Sequence, residues 1–452
     1  MRPYTALVSG VLFPLQERLK GHHAAAARRW LEETQWLPAD ELAALQAERL
    51  QRLVQRAEAR VPFYQARFAE AGVSAADLRE PKDLRKLPLL DKGAIRAAGD
   101  DLRARDAGPL THSNTGGSSG EPLIFQLGRE RVTHDVAAKW RATRWWGVDF
   151  GDPEVVLWGS PIELSAQDRL RGLRDRLQRT QLLPAFAMGE AQLDAFVAAI
   201  RRRRPRMLFG YPSALARVAR HARARGTRLD DRGTEVAFVT AERLYPEQKQ
   251  IIESVFGCRV ANGYGGRDAG FLAHQCPHGG LHVTAEDVVL EVVDPQGRSL
   301  PPGQAGQVVI THLASGDYPF IRYATGDVAT LAQDPCPCGR GLPLVEEVHG
   351  RSTDFLVARD GTVMHGLALI YVIRDIPEIR SFRIVQEDLE HTRVQVVPRG
   401  ELSRETRHRI QSGFRERLGS EVTVKVEPVA AIPPEASGKY RYVQSKVAIE
   451  DV

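Results

Sequence analysis

Cysteine is scarce: four in 452 residues, too few for a disulfide framework. Long hydrophobic runs are missing as well. No apolar stretch approaches the roughly 20 residues that a membrane span needs. The start, Met1 to Gln16, is mildly apolar with one early Arg, but it lacks a small-residue cleavage site and does not read as a signal peptide. Charge of one sign is also missing, since 62 Lys and Arg stand against 57 Asp and Glu and leave a net +5. There are no basic heptads, finger spacings or RRM-type aromatic signatures, so nucleic acid is not an expected partner. Internal repeats and low-complexity tracts are absent. What is there is ordinary globular composition, 43% hydrophobic and 26% charged. The length suits about two to four domains, and the expected location is the cytoplasm.

The first hundred residues read as helical. Ala24 to Trp36 and Pro38 to Arg60 carry apolar residues at helical spacing, and Pro62-Phe63-Tyr64 breaks the second. From about Leu110 short β-rich runs appear: Glu154 to Trp158, Met207 to Phe209, Val236 to Thr240 and Arg259 to Asn262. Helical stretches alternate with them, at Ala191 to Arg202, Pro212 to Arg225 and Pro246 to Phe256. This alternation predicts a largely parallel sheet covered on both faces. After Leu281 the texture is strand-rich, with Val288 to Val293 and Gln307 to Thr311 flanking a turn at Asp294-Pro295-Gln296-Gly297. The last hundred residues form a separate α+β pattern, with a boundary near Gly350-Arg351.

Five short motifs stand out. Ser113-Asn114-Thr115-Gly116-Gly117-Ser118-Ser119-Gly120 is a loop whose glycines let several N–H groups face one anion, with hydroxyls as further donors. It is not a Walker A loop. The others are Asn262-Gly263-Tyr264-Gly265-Gly266-Arg267-Asp268 and Tyr323-Ala324-Thr325-Gly326-Asp327, each following a predicted strand, then Gly350-Arg351-Ser352-Thr353-Asp354, and Ser437-Gly438-Lys439.

These five, in this order, resemble the core motifs of the adenylate-forming superfamily, and most closely its phenylacetate–CoA ligase and coenzyme F390 synthetase branch, which includes capsular polysaccharide proteins of the CapK type. Val61-Pro62-Phe63-Tyr64, Gly210-Tyr211-Pro212-Ser213 and Ala241-Glu242 fit the same branch. The resemblance implies an α/β fold with a large multi-sheet adenylation domain over residues 1–349, mainly helical up to about 105. A small mobile α+β lid over 350–452 would carry Lys439. It implies that Thr115, Ser118, Ser119 and Gly120 close over the β- and γ-phosphates of ATP. Tyr264 and Gly265 would meet adenine and the α-phosphate, with Ala241 and Glu242 beside the nucleotide. Asp268, where the family usually has Glu, would help hold Mg²⁺. Asp327 would accept the ribose hydroxyls with Arg351 next to it, and Lys439 would reach the α-phosphate and the substrate carboxylate. The implied activity is acyl-adenylate formation from a small carboxylic acid, with aryl or arylacetic acids favoured. Transfer to a thiol follows, foremost CoA, with an amine, a hydroxyl or a carrier protein as other acceptors. A non-catalytic nucleotide-binding protein is a further reading. Relatives in the branch also suggest a homodimer. Two positions depart from the family pattern: Thr353 stands for the first hinge acid, before Asp354, and no Lys follows Gly120.

Cys276-Pro277-His278-Gly279-Gly280-Leu281-His282 and Cys336-Pro337-Cys338-Gly339 offer three thiols and an imidazole, a donor set suited to tetrahedral Zn²⁺. The expected ligands of a structural site are Cys276, His282, Cys336 and Cys338, with His278 competing with His282. Cys258, before an apolar strand, reads as a core thiol. Two features carry two readings each. Arg201-Arg202-Arg203-Arg204 is a solvated helix end or a site for the phosphates of a cosubstrate. Trp158, Phe209, Tyr211 and Phe238 are core or line an apolar pocket.

Overall fold

A computed structural model describes residues 2–115, 123–158, 168–185, 188–351, 355–360, 362–365, 367–374, 376–433 and 441–447. The chain divides into two compact units, Met1–Thr325 with Ala329–Val348, and Gly326–Val328 with His349–Val452.

In the first unit, residues 39–60 form a long helix that starts after Pro38 with Asp40 and Glu41 in its first turn and ends with Arg60 in its last. Both charges suit the helix dipole. Val61 then turns extended, as a residue before proline must, and Pro62 opens the next helix, Pro62–Glu70. The proline therefore both breaks one helix and starts another. Leu50, Leu53, Val54 and Ala57 face inward and pack with Val288, Ile310 and Tyr323 in the largest core cluster.

A hairpin, β1 (Thr111–Asn114) with β2 (Ile124–Leu127), precedes the main sheet. The sheet is assembled from β3 (Glu154–Trp158), β4 (Thr180–Pro184), β5 (Met207–Gly210), β6 (Val236–Thr240), β7 (Arg259–Gly266), β8 (Gly270–Gln275), β9 (Leu281–Val283), β10 (Val288–Val293), β11 (Ala305–His312), β12 (Tyr323–Leu331) and β13 (Leu344–Arg351). Among the described residues it is one eleven-stranded ladder in the order β10-β11-β12-β13-β9-β8-β7-β6-β5-β3-β4. The run from β4 to β7 is parallel. Each of these strands is reached through a helix, as parallel pairing requires. Every residue of β5 and β6 is buried, the mark of strands covered on both faces. One cover is the helices Glu190–Arg203, Pro212–Ala224 and Pro246–Phe256, with Ile200, Leu215 and Ile252 in the shared core. The other is the helix Arg129–Trp145, which meets Phe209 and Phe238. From β7 onward the neighbours β8 and β9, then β9 and β13, pair antiparallel.

Two motifs extend differently from the sequence expectation. Residues 264–266 do not follow a strand but complete β7, because Gly265 pairs with Phe271 and Gly266 with Gly270 of β8. A Cβ on Gly265 would lie 2.2 Å from the Gly270 carbonyl oxygen, so the glycine serves close strand approach. Likewise Tyr323 to Asp327 opens β12.

Buried ion pairs fasten the early helices to the turn before β10. Arg141 donates to Glu286 at 2.5 Å, both almost fully buried. Arg49 and His134 both reach Asp287, at 3.2 and 2.6 Å. Burial opposes ionisation of Asp287, but His134 and Arg49 outweigh it and hold its carboxyl well below the usual range.

In the second unit, β14 (Phe355–Val357) and β15 (Val363–His365) form a hairpin. A four-stranded sheet follows, in the order β18-β17-β16-β19, from β16 (Ile379–Gln386), β17 (His391–Pro398), β18 (Thr423–Pro428) and β19 (Val443–Ser445). Phe414 and Leu418 of the helix Arg404–Leu418 are buried, as are Ile384, Val394 and Val424 of these strands. The buried Gln386 amide clamps the hairpin, donating to the Val357 carbonyl at 2.7 Å and accepting from its N–H at 3.0 Å.

Candidate active site and metal centre

The parallel strands β5, β6 and β7 end side by side, and the motif residues of the first unit gather at those carboxyl ends, the place where open α/β sheets bind ligands. After β6 comes Ala241, held at φ +70°, a conformation a residue with a Cβ rarely adopts. Such strain concentrates at functional positions. Next to it, Glu242 accepts from the Ser213 N–H at 3.2 Å, in the first turn of the helix Pro212–Ala224.

Tyr264 is buried on β7. Two residues past the strand end lies Asp268, 8% exposed. Its Oδ2 accepts from the Tyr323 hydroxyl at 2.6 Å, and its Oδ1 accepts from the Ala269 N–H at 3.1 Å. Its carbonyl takes a bond from Arg131 at 3.2 Å. Arg131, 2% exposed, is in turn paired with Asp135 at 2.9 Å, and Asp135 also accepts from the Phe271 N–H. The turn that presents Asp268 is thus held from both sides by buried charge. Nothing in the sequence marked Arg131 or Asp135; they stand a helical turn apart on Arg129–Trp145 and meet the turn only through the fold. Tyr323 was visible as the first letter of its motif, but its role was not.

Two stability predictions follow from this support. Tyr323→Phe removes the donor to a buried carboxylate and is expected to cost about 1–3 kcal/mol, read from the denaturant midpoint. For Asp135, burial works against the charge, but Arg131 and His312 outweigh it and hold the carboxyl at about 2, below its ordinary 3.8. A depressed acid stabilises the fold above its unfolded pKa, so this contribution is present above about pH 4 and is lost as pH falls towards 2. Asp135→Asn is expected to be less stable than the parent near neutrality, and the gap should close across that acid window in urea titrations.

The neck of the Ser/Thr/Gly loop lies close by. Thr115 and Leu123 exchange bonds across it, at 3.0 and 2.9 Å. Arg267, beside Asp268, reaches the Asn114 carbonyl and side chain at 3.4 Å. The rest of the loop, with Ser118, Ser119 and Gly120, lies outside the described residues, as do Thr353, Asp354 and Lys439. Asp327 is half-buried on β12, and Arg351 ends β13.

The arginine run is placed away from this region. Arg201, Arg202 and Arg203 form the last turn of Glu190–Arg203, and Arg204 caps it. That end feeds the start of β5, opposite the carboxyl ends, so the solvated helix end is the reading that stands. Phe209, Phe238 and Tyr211 are core, the first two stacked at 6.1 Å, and the partly buried Trp158 stacks on Tyr211 at 4.4 Å. Cys258 is buried and its thiol is pushed up to about 12 by that burial.

Cys276, His282, Cys336 and Cys338 form a cluster in which one ligand atom from each lies within 4.8 Å of the others. Cys276 Sγ is 3.6 Å from Cys336 Sγ, and Cys338 Sγ is 3.2 Å from His282 Nε2. The other imidazole nitrogen, Nδ1, points at the Leu342 carbonyl at 3.4 Å, which fixes the ring and turns Nε2 to the thiols. Burial pulls His282 down to about 4, keeping the imidazole neutral, the form that binds metal. His278 is exposed in the turn between Cys276 and Gly280. Space is tight: a Cβ on Gly280 would sit 2.7 Å from Cys336 Sγ. Three soft thiols and an imidazole, three of the four buried, suit a structural Zn²⁺.

A family profile described as AMP-binding enzyme matches residues 42–314, and one described as CapK C-terminal domain matches 356–446. The phenylacetate-coenzyme A ligase of Thermus thermophilus is 28% identical over 86% of this chain and 86% of its own. Protein CapK of Staphylococcus aureus is 22% identical over 97% of this chain and 96% of its own. A solved 2-hydroxyisobutyryl-CoA ligase in complex with 2-HIB-AMP, 24% identical, superposes with a TM-score of 0.72 over 91% of this chain and 90% of that one. Strain at Ala241, a carboxylate fixed at the end of β7 and a profile spanning most of the chain converge: the protein belongs to the AMP-binding enzyme family, in the adenylate-forming branch of phenylacetate–CoA ligases and CapK.

Proposed function

We propose that the protein is an ATP-dependent acid–thiol ligase that uses an aryl or arylacetic acid and CoA. The observation that carries this is the convergence of the loop neck at Thr115, the pair Ala241-Glu242 and the turn at Asp268 on one end of the parallel strands. In the first half-reaction the acid's carboxylate oxygen attacks the α-phosphorus of ATP, the bond to the β-phosphate bridge breaks, and pyrophosphate leaves. In the second the CoA thiol attacks the acyl carbonyl, loses its proton, and AMP leaves.

The roles assigned are those that the resemblance to the adenylate-forming family implies. Thr115 with Ser118, Ser119 and Gly120 receives the β- and γ-phosphates. Tyr264 and Gly265 hold adenine and the α-phosphate between β7 and the Ala241-Glu242 corner. By the same resemblance Asp327 would accept the ribose hydroxyls, with Arg351 next to it in the family pattern, and Lys439 would reach the reacting phosphate. Asp268 fits a Mg²⁺ that keeps waters and phosphate oxygens as its other ligands, and such an ion would neutralise phosphate charge. The domain reading is an adenylation domain over 1–349 and a lid over 350–452. The acyl group would meet the Trp158–Tyr211 stack beside Gly210. The phenylacetate-coenzyme A ligase relatives support the acid class and CoA as acceptor. The zinc reading rests on the gathered Cys276, His282, Cys336 and Cys338. A cytoplasmic setting agrees with ATP and CoA as substrates and with four cysteines that form no disulfide.

The test is pyrophosphate release with ATP and Mg²⁺ over a panel of aryl, arylacetic, amino and fatty acids, with and without CoA. Release for aryl or arylacetic acids, turned into steady AMP formation by CoA, is the expected result. Release that CoA does not accelerate would move the acceptor to an amine, a hydroxyl or a carrier thiol. ATP binding without release for any acid would leave a nucleotide-binding protein.

A further inference from the structure

The first helical stretch runs through Pro3–Leu7, a wider turn at Val8–Leu12, and Phe13–Leu19. One face is anchored. Thr5, Val8, Ser9, Phe13 and Glu17 are buried, Phe13 stacks on Phe150 at 3.8 Å, and the Thr5 hydroxyl donates to Asp152 at 2.9 Å. The opposite face is apolar instead of polar. Leu7, Val11, Leu15 and Leu19 recur every four residues and are 47%, 54%, 53% and 82% exposed. Leu177, 45% exposed, adjoins them, since its carbonyl accepts from Tyr4 at 2.8 Å and Gln178 bonds to Gln16. Among the described residues seven large apolar side chains are exposed, and five of them form this one patch.

Among the described residues the exposed charges at its rim that stand outside ion pairs are cationic: Arg2, Arg18 and Arg176. The single acid between residues 2 and 31, Glu17, is turned inward and held by Lys20 and His22. On the neighbouring helix Asp175 is spent on Arg174.

We infer that this face docks on an anionic lipid bilayer, lying flat in the interface with the leucines at the acyl boundary and the cations at headgroup phosphates. The cationic rim selects an anionic surface. A bilayer requires no matching shape, and exposed leucines beside cations are the pattern that binds one. No helix among the described residues is long and apolar enough to cross a membrane, so the chain lies on the surface through this stretch.

The test is flotation of the full-length chain with vesicles of phosphatidylcholine alone and of phosphatidylcholine mixed with phosphatidylglycerol. Binding to the mixed vesicles only, weakened by salt, is expected. The double substitution Leu15→Glu, Leu19→Glu should lower it by about tenfold or more while leaving thermal unfolding unchanged, because both side chains are exposed. Unchanged binding of that variant, or equal binding to the neutral vesicles, would overturn the assignment. So would a wild-type dimer in sedimentation that the variant dissolves without any vesicle binding, since the face would then join two copies of this chain.

Discussion

Replacing Lys439 with alanine is expected to slow pyrophosphate release by about 10²–10³-fold while ATP still binds. Two anions have to approach one another in this half-reaction, the acid's carboxylate and the α-phosphate. The pentacovalent centre between them gathers negative charge that neither reactant carries. An ammonium placed there is worth more at that point than in the ground state, which is why the loss should fall on kcat and not on nucleotide affinity. Lys439→Arg should recover little, because a planar fork does not occupy the place of a compact point charge. Paired measurements of pyrophosphate release and of ATP binding by calorimetry check this. A variant that loses affinity and rate by the same factor would assign Lys439 to ground-state binding.

Elemental analysis should find one zinc per chain, and its removal should be the largest stability change available without touching the core. An ion present at about 1,000 times its dissociation constant stabilises the folded state by about 4 kcal/mol. Stripping it also leaves Cys276, Cys336 and His282 buried with no ion to satisfy their lone pairs. Cys336→Ala is therefore expected to abolish the bound metal and to lower the unfolding temperature by several degrees. Gly280→Ala should do the same without removing any ligand, since its methyl would fall 2.7 Å from Cys336 Sγ. Full zinc content with an unchanged melting temperature in Gly280→Ala would show that the cluster tolerates the shift and is not a closed site.

The regular α/β core was legible because its signals are local. β3, β6 and Pro246–Phe256 have the limits their residues suggest, since apolar runs and prolines at helix starts act within a few residues. The glycine motifs were legible as motifs but not as strands. Their glycines mark close backbone approach, which depends on a partner such as Gly270 that sequence order does not point to. The choice between His278 and His282 rested on the same kind of information, because only pairing of β9 with β8 and β13 turns His282 inward. The support beneath Asp268 was out of reach for a similar reason: Arg131 lies 137 residues from the carbonyl it holds.

Separation along the chain also has a cost in time. Arg49 waits for Asp287, 238 residues later, and the apolar face of its helix waits for Val288 and Ile310. At a synthesis rate of 5–20 residues per second, that interval is roughly 12–48 s. For that long the nascent chain presents Leu50, Leu53, Val54 and Ala57 covered only by the short local elements that follow, through Tyr64, Phe68 and Leu84, and not by the sheet. Production of this protein should accordingly depend on holding chaperones at the ribosome, and aggregation should track their shortage more closely than the stability of the finished fold.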